Sequence, residues 1–76
     1  MKETYWLIVK DGDQKKVAIV GPVVDDSFFA DKVCKLRKEG KQIWIDSVST
    51  QKESKENLIK YHSSGMRFVE LREILS

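Results

Sequence analysis

The chain has one cysteine, one histidine and one proline among its 76 residues, and each scarcity removes a class of explanation. A single cysteine cannot staple a domain to itself, so the fold must rest on its apolar core, and the cytoplasm is the expected location. One cysteine and one histidine cannot supply the donors of an ordinary zinc site, and no metal or cofactor is expected. No apolar run approaches the ~18 residues that cross a bilayer, and Lys2 to Val9 is too short and too soon charged for an export signal. No membrane partner is expected. Charge of one sign is scarce as well. Fourteen Lys and Arg against twelve Asp and Glu leave +2, so attraction to nucleic acid or anionic lipid has to come from local clustering.

What is present is the composition of a small folded domain. Apolar residues make up 41% of the chain, with two Trp, three Phe and two Tyr. A single domain over residues 1–76 buries only ~60% of its unfolded surface, which leaves little material for a deep cleft. No small-molecule substrate is expected.

TYWLIVK (residues 4–10) and KVAIV (16–20) are rich in β-branched and aromatic residues and read as strands. A four-residue loop over Asp11 to Gln14 matches apolar side chains best, pairing Ile8 with Val17, Leu7 with Ala18 and Trp6 with Ile19. Trp6, Ile8, Val17 and Ile19 then share one face, and Tyr5, Leu7, Val9, Ala18 and Val20 the other. Both faces are apolar. Such a sheet needs a helix on each side, or it leaves a face for a partner subunit or ligand. Gly21 and Pro22 are expected to end the second strand.

Beyond them, Asp25, Asp26 and Ser27 are good N-cap residues, and Phe29, Val33 and Leu36 form one helical stripe with Ala30 and Cys34 at its flank. Gly40 marks the stop. KQIWID (41–46) reads as a third strand. Thr50 to Glu53 matches a capping box, which starts a second helix over Gln51 to Ser63 with Gly65 past its end. MRFVEL (66–71) suits a last strand, although Phe68, Leu71, Ile74 and Leu75 also fit a helical turn, so residues 70–76 are left open. The expectation is an α/β domain, with α+β as the alternative, of order ββαβαβ: a mixed four-stranded sheet with two helices.

No catalytic residue is nominated. Cys34 sits mid-helix as a small core-edge residue, and nothing brings His62 to it. Asp25 with Asp26 and Asp11 with Asp13 are explained by capping and turn chemistry. Trp6 and Trp44 are expected core anchors. The residues that escape such accounts are Phe28, which lies off the packing stripe, and the cations Lys32, Lys35, Arg37, Lys38 and Lys41. Lys15 to Ile45, a strand ending in Gly and Pro followed by a helix, a Gly stop and a strand, resembles half of a SPOR-type peptidoglycan-binding repeat; the rest of the chain does not match that pattern, and no function is taken from it.

The reading is a noncatalytic binding or regulatory module that contacts a protein partner or a second copy of itself, with Phe28 and the sheet face of Tyr5, Leu7 and Val9 as candidate contacts. The alternative is a nucleic-acid-binding regulator using the ridge of Lys32, Lys35, Arg37, Lys38 and Lys41.

Overall fold

A computed structural model describes residues 3–75. Strand β1 (Tyr5–Asp11) pairs antiparallel with β2 (Lys16–Val23), setting Leu7 opposite Val20, Ile8 opposite Ile19 and Val9 opposite Ala18. The loop therefore spans Gly12 to Lys15, one residue later than expected, and β1 residues Leu7 to Asp11 meet partners two positions further along. The cause is Asp11. Its Oδ1 accepts hydrogen bonds from the backbone N–H groups of Asp13 and Gln14 at 3.0 and 3.2 Å, so the chain turns with Asp11 still in the ladder. Lys15 closes the loop in the left-handed region at φ 53. A shift of two keeps each side chain on its expected face.

β2 runs through Gly21 and Pro22 rather than stopping there, with an extra residue accommodated between Val20 and Val23 where the register slips opposite Tyr5 and Leu7. Pro22 is tolerated because β4 (Arg67–Phe68) pairs with β2 only at Lys16 and Val17, which leaves no outer strand to miss a donor. Gly21 answers a steric demand. A Cβ at that position would collide with the Trp6 indole.

Helix α1 (Ser27–Lys38) has Asp26 at its N-cap with no side-chain cap bond; Asp25 Oδ1 instead accepts from the Ser27 N–H and hydroxyl at 3.0 and 2.6 Å. The helix ends in a Schellman turn, in which Gly40 N–H donates to Arg37 O and Lys41 N–H to Leu36 O, with Gly40 at φ 92. That turn occupies Lys41, so β3 (Ile43–Val48) starts and ends two residues later than expected. Helix α2 (Gln51–Ser63) has the expected limits, with Glu53 N–H donating to Thr50 Oγ1 at 3.1 Å. A one-turn helix, α3 (Arg72–Leu75), follows β4.

The sheet order is β3-β1-β2-β4, with β1 antiparallel to both neighbours and β2 parallel to β4. This is the expected mixed four-stranded α/β arrangement. The crossovers run in opposite directions over the sheet, β2 to β3 through α1 and β3 to β4 through α2, and right-handed connections then require the helices on opposite faces. They lie there. Val33 and Leu36 of α1, with Ile74 and Leu75 of α3, form one core with Val9, Ala18 and Ile43. On the other face Ser54 and Leu58 of α2 border one shallow pocket together with Trp6 and Ile19.

The two-sided sheet is thus covered from within the chain. Leu7 and Val9, named as interface candidates, are both 0% exposed and offer no surface to a partner. Their cover is α1 together with α3, which forms in the segment 70–76 whose conformation the sequence left open between strand and helical turn.

The two glycines fail differently when substituted. Gly40→Ala meets no atom within 4 Å and bears only the left-handed backbone penalty, about 1 kcal/mol. Gly21→Ala drives a methyl into Trp6 and costs about 1–3 kcal/mol. In urea unfolding of double variants, Trp6→Leu relieves the Gly21→Ala loss and leaves the Gly40→Ala loss unchanged; equal losses with and without Trp6 would refute the steric account.

Candidate functional site

Helix α1 buries Val33 and Leu36, packs Phe29 partly against the core and leaves its other side chains outward. Phe28 is 66% exposed, and its ring meets Phe29 edge-on, with centroids 5.6 Å apart at 82°. Phe29 packs against the core, so Phe28 is an apolar surface held by an anchored neighbour rather than a loose side chain. Two shallow depressions flank it. One, of about 300 Å³, opens toward Leu71 and Leu75; the other, of about 370 Å³, runs along Lys32, Lys35 and Lys38. Cys34 and Lys38 carry the surface on into a third groove of about 470 Å³ between α1 and β3, lined also by Arg37, Trp44 and Ile45.

The cations divide. Lys32, Lys35 and Lys38 occupy the outer arc of α1, all exposed. Arg37 lies on another side and stacks over the Trp44 ring, its guanidinium carbon 4.2 Å from the centroid. Lys41 lies beyond the helix end and is exposed. Trp44, expected in the core, is 45% exposed because β3 lies at the edge of the sheet. Tyr5 is half-buried near the start of α1. Desolvation first, then the charges of Asp26 and Asp25, raise its pKa.

No catalytic constellation assembles from the residues weighed for one. Cys34 is exposed at the lip of the groove rather than tucked at the core edge, while His62 is exposed on α2, so the sheet lies between them. The Asp11 carboxylate is engaged by its turn, and Asp13 Oδ2 accepts from Gln42 N–H at 3.3 Å. The Ser27 hydrogen bonds hold the Asp25 carboxyl below the usual carboxylate range. Among the described residues no three His, Cys, Asp or Glu side chains are grouped to hold a metal ion, and no helix is long and apolar enough to cross a membrane.

One polar cluster escaped the sequence reading. Lys10 Nζ lies 2.9 Å from Asp46 Oδ2 and donates to Tyr61 Oη at 3.1 Å, tying β1, β3 and α2 together. Its signal was a lysine on the same strand face as Ile8, a position that calls for a partner. Desolvation pulls the Lys10 pKa down, but the hydrogen bonds and charges of Asp46 and Tyr61 outweigh it and the net shift is upward.

No protein family matches the chain, and comparisons with curated proteins and with solved structures found no match.

Because the folded Lys10 pKa lies above its free value of 10.5, the ion pair stabilises the fold fully below that pH, and the contribution disappears as pH rises through the raised value. Asp46 is half exposed, so Asp46→Asn is expected to lower stability by about 0.2–1 kcal/mol near neutrality. Measured by chemical unfolding, the gap between wild type and variant stays constant to about pH 9 and shrinks above about pH 10.5. A gap that persists undiminished at pH 11.5 would show that the loss is not electrostatic.

Proposed function

We propose that this chain is a noncatalytic binding module, regulatory in kind, that docks a protein partner on the exposed side of α1. The observation that carries the reading is Phe28. It is a large aromatic side chain, two-thirds exposed on a helix, with a shallow depression on each flank, one bordered by Leu71 and Leu75 and the other by lysines. Anchors of this type, set in a polar surround, are what protein interfaces are built around. Lys32, Lys35 and Lys38 supply such a surround and favour a partner with an acidic surface. Self-association through the sheet loses its support, since Leu7 and Val9 are covered. The free, exposed Cys34 fits a reducing compartment, and the cytoplasm is the location we propose.

A nucleic-acid partner is the second reading, favoured by the alignment of Lys32, Lys35 and Lys38 beside two exposed aromatic side chains. Asp31 and Glu39 interrupt that ridge, and the chain's net charge of +2 adds little steering. Protein is therefore placed first.

The test is affinity capture with the full chain, comparing wild type with Phe28→Ser, followed by titration of the purified captured protein. The expected result is direct binding that weakens at least tenfold with Phe28→Ser while unfolding midpoints stay close, because the ring is mostly exposed. Capture indifferent to Phe28→Ser, or a chain that stays monomeric at high concentration in light scattering and retains nothing, overturns the proposal.

A further inference from the structure

Among the described residues β3 is paired with β1 on one side only, so half of its backbone donors and acceptors face outward. One hydrogen bond tells which half. Gly12 N–H donates to Gln42 O at 2.8 Å, one step before the Asp11–Ile43 pair of the ladder. Hydrogen-bonded and non-bonded pairs alternate along an antiparallel ladder. Trp44, Asp46 and Val48 therefore turn their backbone toward β1, and Ile43, Ile45 and Ser47 turn theirs to the open edge. Alongside that edge runs the 470 Å³ groove, with Val33 and Ile45 as apolar lining and Arg37, Lys38 and Trp44 at its rim.

Charge selects the occupant. Residues 30 to 45 hold five cations against two carboxylates, a surplus of +3 within a chain of net +2. The acid on β3 itself, Asp46, is paired with Lys10. The geometry points to an extended acidic peptide segment that adds to the sheet as a strand on β3, with alternate side chains entering the groove and carboxylates meeting Arg37 and Lys38. This rests on the protein-binding reading above and deepens it, giving the partner's chemistry and placing its docking at the β3 end of the α1 surface. A guanidinium stacked on Trp44 keeps its donor edge free for a carboxylate. A second copy fits less well, because β3 beside β3 about a two-fold axis would set two margins of the same positive surplus side by side, with no acidic margin to meet either.

The test uses the full chain, ¹⁵N-labelled, at low salt, titrated with a capped hexapeptide alternating Glu and Val and with its Lys–Val counterpart. The Glu–Val peptide is expected to bind with a dissociation constant on the order of 0.1–1 mM, shifting the amides of Ile43, Ile45 and Ser47 and the Trp44 indole. The Lys–Val peptide is expected to leave them unmoved. Ser47→Pro removes an outward donor and spares the β1 ladder, so it keeps the fold and weakens the peptide about tenfold; Arg37→Gln weakens it by a smaller factor. Absence of Glu–Val binding, equal binding of both peptides, or indifference to Ser47→Pro overturns the edge proposal. A ten-nucleotide oligo-dT that outcompetes the peptide and moves α1 amides without those of β3 overturns it in favour of nucleic acid. If the peptide fails while Phe28-dependent capture of a protein succeeds, the edge proposal falls and the broader reading stands; if both fail, both fall.

Discussion

β1 carries apolar side chains on both of its faces, and that constraint organises the domain. Leu7 and Val9 point one way and Ile8 the other, each at most 1% exposed, and burying such side chains is worth about 1.5–3 kcal/mol apiece. A strand of this kind is stable only inside a sheet covered on both sides. β1 therefore takes a central place, with β2 and β3 as its neighbours. The connection from β2 to β3 then has to pass over β1, and the return from β3 to β4 has to pass back over the other face. The positions of α1 and α2 follow from β1.

The two covers are unequal. The α1 face is sealed by two elements, α1 and the single turn of α3 carrying Ile74 and Leu75. The α2 face is thinner. Ser54, 0% exposed with its hydroxyl donating to Gln51 O at 2.7 Å, brings α2 close to the sheet at the cost of apolar volume. Leu58 and Tyr61 continue its stripe, while Ile59, one position around the helix, is 67% exposed. The Lys10, Asp46 and Tyr61 cluster then fastens by polar contacts what apolar packing alone holds weakly there.

Features fixed by neighbours in the chain were legible in the sequence. The Thr50–Glu53 cap and the Gly40 and Gly65 stops act within one helical turn, and both long helices lie within a residue or so of where those signals put them. The hairpin register was not, because it depends on one carboxylate, Asp11, folding back on two amides rather than on the apolar matching of the strands. α3 was ambiguous because Leu71, Ile74 and Leu75 satisfy either period until the open sheet face selects the helical one. In the candidate site, Phe28 could be read from the helical projection alone. Trp44 could not: an alternating strand tryptophan looks like core until the strand order puts it on an edge.

Edge position connects the fold to its proposed use. A small open sheet must protect two edges against unwanted pairing. On the outer side, β4 offers only two paired residues, and beyond it the free margin of β2 carries Pro22 and an irregular register. The other margin is β3, six residues long, without proline or bulge, and guarded by the Arg37–Trp44 stack beside it. A stack of two exposed side chains is a weak lock, worth about 0.5–1 kcal/mol at such sites, and it discriminates by charge. Under the proposal, cationic strands, including another copy of this chain with its own Arg37 and Lys38, are repelled. An acidic strand relieves the local excess of positive charge and finds the backbone of Ile43, Ile45 and Ser47 ready to pair. On the proposed reading, protection of the edge and selection of its partner are one electrostatic arrangement, which gives a long, regular edge strand a use.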